Sequence, residues 1–116
     1  MVSPSRAPSV ESERVHLARL ARDAALRVAG VAGTDIGPLG AFVTGAGDGE
    51  RVEGVICVAV KGGGYDVSLR LVCGLVPLHP LGERVRTAVN RAAAIAGVKL
   101  ERVSVHFAEL AAGGGL

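Results

Sequence analysis

Hydrophobic and polar side chains alternate most regularly within residues 52–73. This segment begins with an almost wholly apolar run and ends with YDVSLRLVC, in which every second side chain is apolar. Side chains on a strand point alternately to opposite faces, so the second run predicts a strand with one buried face. The glycines at positions 62–64 permit a tight reversal between the runs, and the whole segment therefore predicts a β-hairpin.

The first run of this hairpin, residues 55–60, is apolar at nearly every position. This composition is typical of a central strand, or of a strand covered on both faces, with a partner protein as one source of cover. A glycine triplet also occurs in phosphate-binding loops. Those loops lead from a strand into a helix, whereas these glycines lead into a second strand, and we interpret them as a plain turn.

Apolar residues spaced three and four positions apart predict two amphipathic helices. Ser12 is the expected N-cap of the first helix, which runs to about residue 29 and is followed by Gly30. The second helix is expected over residues 81–96, ended by Gly97. The apolar stripes are Leu17, Leu20, Ala21, Ala24 and Val28 in the first helix, and Leu81, Val85, Ala88, Val89, Ala92, Ile95 and Ala96 in the second.

The alternation returns in residues 98–110, where Val103, Val105 and Phe107 share one face and His106 lies on the other. This pattern predicts a last strand, and the helix before it favours parallel pairing with a strand of the hairpin. Residues 39–44 are a candidate for a short edge strand. The order α-(β)-β-β-α-β predicts an α+β fold: a two-layer sandwich with a small mixed sheet of three or four strands and two helices on one face.

Length and composition predict one domain. We expect a disordered tail at residues 1–11, the domain at residues 12–110 and a flexible tail at residues 111–116. No apolar run reaches the roughly 18 residues of a membrane span, and the N-terminus lacks a signal-peptide core, so a cytoplasmic protein is expected. A net charge of +2, from 13 basic and 11 acidic residues, does not by itself indicate a nucleic-acid or membrane partner.

The cysteines are expected to be reduced thiols. A turn centred on the glycines places Cys57 opposite Ser68 and Cys73 opposite Val52, on opposite faces of the sheet, which argues against a disulfide. Two cysteines cannot complete a structural zinc site, and the spacing of the three histidines does not make them converge. We therefore expect no metal and no cofactor. The histidines are His16, His79 and His106.

No pattern of residues demands catalysis. The chain has no G-x-S-x-G nucleophile elbow, and we expect no catalytic residues and no enzymatic activity. Two alternatives stay open. Cys57 is expected on the open face of the sheet with His106, which makes it a candidate reactive thiol. The carboxylates of residues 48–53 form an acidic loop and a candidate weak cation site; they are Asp48, Glu50 and Glu53.

A nucleic-acid-binding module is the main alternative class. Arginines on the two helices predict a basic face, comprising Arg14, Arg22, Arg84 and Arg91. Single-strand readers stack bases on aromatic side chains, and this chain has only three aromatic residues of the Phe, Tyr and Trp type. The segment GVAG at residues 30–33 has the spacing of a KH loop but leads into no second helix. Nucleic acid is therefore the less favoured partner.

The order of elements resembles the alkaline shock protein family, the bacterial envelope stress response proteins, over residues 13–110. The resemblance rests on a helix that ends in Gly30–Val31, the strands VICVAV and YDVSLRLVC closed by Gly74, a helix that ends in Ala96–Gly97–Val98, and the final strand VSVHF. It implies a cytoplasmic, non-enzymatic protein that self-associates and gathers at the inner side of the membrane through a membrane-anchored partner. It further implies a link to cell-wall or alkaline stress, and no catalytic residues.

Seven residues are expected to lie at interaction surfaces. Three follow the apolar first strand of the hairpin, two lie on the outer face of the later strands, and two lie on the second helix. In that order they are Val55, Cys57 and Ala59; Arg70 and His106; and Arg84 and Arg91.

Overall fold

The computed structural model describes residues 10–45 and 50–108. Within them lie two helices, a four-stranded mixed sheet and a separate two-stranded sheet, which confirms the α+β prediction. The helices are α1 (Val10–Leu26) and α2 (Leu78–Ala96). The strands are β1 (Val31–Thr34), β2 (Val43–Gly45), β3 (Arg51–Glu53), β4 (Val55–Ala59), β5 (Tyr65–Cys73) and β6 (Leu100–Phe107).

Strand β5 is the centre of the main sheet. Along one edge it pairs with β6 in parallel, as predicted for the last strand. Its other edge is shared, because β4 pairs antiparallel with its first half and β1 pairs antiparallel with its last residues. The prediction of a central strand at residues 55–60 is therefore wrong. A uniformly apolar run does not specify which strands lie beside it. Strand β4 is covered by α1 and by the separate two-stranded sheet of β2 and β3, which we call the small sheet.

The two helices pack on one face of β5. Alternate residues of β5 face the helices and are buried: Tyr65, Val67, Leu69, Leu71 and Cys73. The helices contribute Leu17, Ala18, Ala21 and Ala25 from α1, and Leu81, Val85, Val89 and Ala93 from α2. Alanine is frequent in these contacts, so the helices approach the sheet and one another closely. The face of β5 turned away from the helices is half-buried throughout.

The ends of the helices differ from the predicted ones. Helix α1 begins at Val10, so Ser12 lies inside it and is not its N-cap. Helix α2 begins at Leu78, and Pro80 is accommodated in its first turn, where a proline removes no internal hydrogen bond. Gly97 ends α2 in the left-handed conformation, with φ of 76° and its N–H donating to the Ala93 and Ala94 carbonyl groups, as predicted.

Residues 31–45 fold differently from the expectation of one edge strand at residues 39–44. Pro38–Gly40 form a short 3₁₀ turn, and only the last residues of the segment reach β2, which pairs with β3 outside the main sheet. Strand β1 joins the main sheet instead, although its sequence VAGT carries little hydrophobic signal. The tails predicted at residues 1–11 and 111–116 lie outside the described residues, except that residues 10 and 11 belong to α1.

Gly54 separates β3 from β4 and joins the two sheets. Its φ is 90°, a conformation that favours glycine, and a Cβ atom here would overlap the side chain of Thr34. Its N–H donates to the Phe42 carbonyl, and its own carbonyl accepts from the N–H of Arg70. The chain therefore turns from the small sheet into the main sheet at a position that only glycine fits.

Candidate functional site

Two surfaces of the described residues combine charged and apolar groups that a partner can contact. We call the first the open face: it is the side of the main sheet opposite the helices. Its residues are Ile56, Val58, Asp66, Ser68, Arg70, Arg102, Ser104 and His106, with Asp35 and Phe42 at one end. We call the second the helix-pair groove: it lies between α1 and α2. Its residues are Ala24, Arg27, Val28, Ala29, Glu83, Arg84, Thr87, Ala88, Arg91, Ala92 and Ile95.

Arg70 and His106 lie side by side on the open face, because they are partners in the register of β5 and β6. Phe42 packs beside both of them. Its ring meets the imidazole edge-on, with centroids 5.5 Å apart and planes at 67°. The guanidinium carbon of Arg70 lies 5.9 Å from the centroid of the same ring. The structure thus places two of the residues singled out from the sequence next to each other and adds an aromatic contact.

Asp35 fixes the position of the Arg70 side chain. Arg70 Nε donates to Asp35 Oδ2 at 2.8 Å, and the same carboxylate oxygen accepts the N–H of Gly37 at 3.0 Å. The hydrogen bond from Arg70 is the main cause that lowers the pKa of Asp35. Asp35 was not identified from the sequence. An aspartate two positions before a glycine is typical of an Asx turn, and that signal points to it.

The open face carries opposite charges close to each other. Asp66 and Arg102 are register partners on β5 and β6, and the Asp35–Arg70 ion pair lies further along the same face. Apolar groups lie among these charges, and Val58 is 50% exposed. The face is therefore mixed in charge and partly apolar, which is typical of a protein-interaction surface rather than of a nucleic-acid surface.

Val55 and Cys57 are not at a surface, and their prediction as interaction residues is wrong. They are 0% and 1% exposed. Cys57 pairs with Val67 and not with Ser68, and a difference of one residue in register moves a side chain to the other face of the sheet. Ala59 is exposed at the end of β4. Cys73 is buried in the same core, so the expectation that the cysteines face opposite ways is also wrong.

The environment of Cys57 favours the neutral thiol. Burial raises the pKa of Cys57 to about 11, although the positive charge of Arg14 acts in the opposite direction. The Arg14 side chain donates to the carbonyl groups of Cys57 and Gly45, both at 3.2 Å, and so ties α1 to β4 and β2. His106 lies on the other face of the sheet, so the pair of Cys57 and His106 considered above is not formed.

Two polar side chains, the buried Thr44 and Tyr65, hold β4 and β5 in place. The hydroxyl of Thr44 donates to the Val55 carbonyl at 2.8 Å and accepts the N–H of Cys57 at 3.0 Å. The hydroxyl of Tyr65 donates to Glu13 Oε1 at 2.7 Å. Burial, followed by this contact, raises the pKa of Tyr65 to about 12. These groups serve the packing of α1 and β2 against the sheet.

The candidate metal ligands do not meet in the part of the chain that the structure describes. His16, His79 and His106 are exposed, and no group of three His, Cys, Asp or Glu residues within residues 10–45 and 50–108 is arranged to hold a metal ion. Asp48 lies outside the described residues, and Glu50 forms an ion pair with Arg19. Neither described helix is both long enough and apolar enough to cross a bilayer.

The four arginines predicted to share a basic face are separated. Arg14 turns towards β4 and β2, and Arg22 lies 3.6 Å from the Asp23 carboxylate. Arg84 and Arg91 do lie together, in the helix-pair groove. The segment GVAG forms the turn after α1 and the start of β1, so no KH-type loop between helices is present at residues 30–33.

The chain matches no protein-family model, no curated protein and no solved structure. The resemblance to the alkaline shock protein family therefore stays a prediction from the hydrophobic pattern and the placed glycines.

Proposed function

We propose that this chain is a non-enzymatic interaction module that associates with itself and holds a partner protein. The observation that carries the proposal is the open face. It is a sheet surface left uncovered by the described helices, with a preorganised Arg70–Asp35 ion pair, the Phe42–His106 contact and the half-exposed Val58. A surface with ordered polar groups and accessible apolar groups suits protein association.

A second copy of the chain is the occupant that fits the open face. Homodimers form through the same surface on both subunits, so a self-complementary charge pattern favours them. The open face has acidic groups at Asp35 and Asp66 and basic groups at Arg70 and Arg102. Rotation of one copy by 180° can bring the acidic groups of each face against the basic groups of the other, while the apolar groups between them lose contact with water.

The resemblance to the alkaline shock proteins supplies the biological part of the proposal. In that role the protein is an adaptor in the response to envelope or alkaline stress. It resides in the cytoplasm and gathers at the inner face of the membrane through a membrane-anchored partner. A fluorescent fusion in the native cell tests this part. Peripheral fluorescence that increases after alkaline stress supports it, and uniform cytoplasmic fluorescence under both conditions contradicts it.

Sedimentation velocity tests self-association. The wild-type chain is expected to shift from monomer towards dimer between about 5 and 500 µM, the range in which a modest interface associates. Val58→Asp places a further negative charge on the open face, beside Asp66, and is expected to keep the protein monomeric. Ile95→Asp introduces the same charge on the helical layer and is the matched control. A wild-type chain that stays monomeric throughout, or equal effects of both variants, contradicts dimerisation through the open face.

Nucleic-acid binding is the second candidate, favoured by one observation. Arg84 and Arg91 are exposed and form no ion pair with any residue in the described part of the chain. If they bind phosphates, affinity for single-stranded RNA falls steeply with salt. Absence of binding at about 50 mM salt, where phosphate contacts are strong, removes this candidate.

A further inference from the structure

The helix-pair groove combines an apolar floor with a basic rim. The floor consists of small or aliphatic side chains, and Ile95 stands at one end with 82% of its surface exposed. Sequence periodicity assigned Ile95 to the buried stripe, so its exposure is a departure from the pattern of α2. The other floor residues are Ala24, Val28, Ala88 and Ala92, and the rim arginines are Arg27, Arg84 and Arg91.

The positive charge of this rim is not balanced locally. Glu83 is the acidic residue among those that line the groove, and it accepts a hydrogen bond from Arg86 at 3.1 Å. None of the three rim arginines forms an ion pair with another described residue. The groove therefore presents three guanidinium groups above an apolar floor.

The spacing of the arginines fits a helical partner. Arg84 and Arg91 are seven residues apart on α2, which corresponds to two helical turns and about 10.5 Å along the axis. A helix that lies along the groove and carries carboxylates seven residues apart can pair with both. Each guanidinium can bind a carboxylate through two parallel hydrogen bonds.

The floor favours a protein helix over nucleic acid. The alanines allow another backbone to approach closely, and an amphipathic helix would cover Ile95 with its apolar stripe. A nucleic-acid strand would use the arginines but leave the floor exposed. The described residues that line the groove include no aromatic side chain, so bases would have no aromatic surface there on which to stack.

Neither described helix of this chain suits the groove as its partner. Helix α2 carries more arginine than glutamate, and α1 is not net acidic, so a second copy offers no acidic helix within residues 10–45 and 50–108. We infer that the helix-pair groove binds the acidic face of an amphipathic helix on a different protein. This inference rests on the proposed interaction role and names the chemistry of the partner.

Fluorescence anisotropy with a designed peptide tests the inference. The probe is a labelled helical peptide of about 20 residues, long enough to form a helix, with a Leu/Ala stripe and glutamates seven residues apart on the adjoining face. The control peptide has lysine in place of each glutamate. The full chain is expected to bind the acidic peptide with a micromolar dissociation constant and the lysine peptide at least about tenfold more weakly.

Variants locate the binding surface. The double variant Arg84→Glu/Arg91→Glu is expected to weaken binding of the acidic peptide at least about tenfold. The double variant Arg51→Glu/Lys61→Glu makes the same charge change at two exposed residues outside both surfaces, and it is expected to leave peptide affinity unchanged. Circular dichroism checks that each variant is folded, and Arg84→Gln/Arg91→Gln replaces the double variant if it is not.

Three outcomes overturn the inference. The two peptides bind equally well, or the acidic peptide does not bind at about 100 µM, a concentration well above the expected micromolar dissociation constant. In the third, a single-stranded oligouridine binds more tightly than the acidic peptide. Sedimentation of the same samples separates this result from the proposed function. If the chain dimerises but does not bind the acidic peptide, only the inference about the helix-pair groove is contradicted. If the chain binds the peptide but stays monomeric, only the proposal of self-association through the open face is contradicted.

Discussion

The two faces of β5 show how one strand serves two purposes. On the side of the helices, Leu69 is fully buried among aliphatic side chains. One residue further along, Arg70 lies on the open face, held by Asp35 and in contact with the Phe42 ring. The backbone geometry of the two residues is the same, and only the alternation of side chains separates them. The covered face supplies the stability of the fold, while the open face is free to carry contacts that stability does not require.

Truncation of Leu69 has the largest expected effect on stability. Leu69→Ala leaves a cavity beneath both helices and is expected to lower the free energy of unfolding by about 3 kcal/mol. Val58→Ala removes apolar atoms from the open face of the neighbouring strand and is expected to cost less than about 0.5 kcal/mol. Urea denaturation of both variants measures the difference. Equal losses in the free energy of unfolding would mean that the open face is packed as tightly as the covered face, which contradicts the proposed difference between them.

The buried hydroxyl of Thr44 gives the next largest effect. Thr44→Val keeps the shape of the side chain but leaves the N–H of Cys57 and the carbonyl of Val55 without their partner. We expect a loss of about 2 kcal/mol in the free energy of unfolding, because a buried unpaired polar group is costly. Thr87→Val, on the exposed side of α2, is the matched control. If both variants lose the same free energy of unfolding, the Thr44 hydroxyl does not hold β2 against β4.

We expect the stability of the fold to fall at alkaline pH, because two titratable groups are buried on the covered face. Burial raises the pKa of Cys57 from 9.0 to about 11, so in this range the unfolded chain releases a proton that the folded chain retains. Stability is therefore complete below pH 9 and is lost as pH rises towards 11, on the order of 1–2 kcal/mol in all. Tyr65, raised from 10.0 to about 12, extends the loss in the same direction.

Denaturation at a series of pH values tests this alkaline loss. Cys57→Ala is expected to remove most of the slope of the curve between pH 9 and pH 10, where Tyr65 contributes less than Cys57 because its ordinary pKa is higher. Tyr65→Phe is the control and is expected to keep the slope in that interval. A slope that survives in Cys57→Ala would assign the alkaline sensitivity to other groups.

The Arg70–Asp35 ion pair has the smallest expected effect. A double-mutant cycle with Asp35→Asn and Arg70→Gln is expected to give a coupling energy smaller than the loss on Thr44→Val, because both side chains are partly exposed. The pKa of Asp35 is lowered by Arg70, so this contribution is present above pH 3.8 and is lost as pH falls below it. A coupling energy as large as the loss on Thr44→Val would show that the open face contributes to folding as the covered face does.

Strong hydrophobic alternation made most of the fold predictable. The run YDVSLRLVC gave the buried face of β5, and the triple glycine gave the turn before it. The glycine after α2 marked the end of that helix, and the helix itself implied the parallel pairing of β6. Each of these signals is local, or follows from the short list of permitted connections.

The predictions failed where residues distant in the sequence decide the structure. Residues 31–34 carry no clear period, and their position as β1 depends on the free edge of β5 that β4 leaves. A shift of one residue in the pairing of β4 with β5 decides on which face of the sheet the Cys57 side chain lies. A turn that contains three glycines does not determine that register. The Asp35–Arg70 pair joins residues 35 positions apart. The sequence contained both partners but no signal of their contact, so the site on the open face was only half identified.

Gly54 is the joint between the small sheet and the main sheet. Because a side chain at this position would collide with Thr34, the angle between the small hairpin and the main sheet is encoded by one residue without a side chain. A substitution at Gly54 would therefore displace the whole small sheet, which carries the buried side chains of Thr44 and Val52.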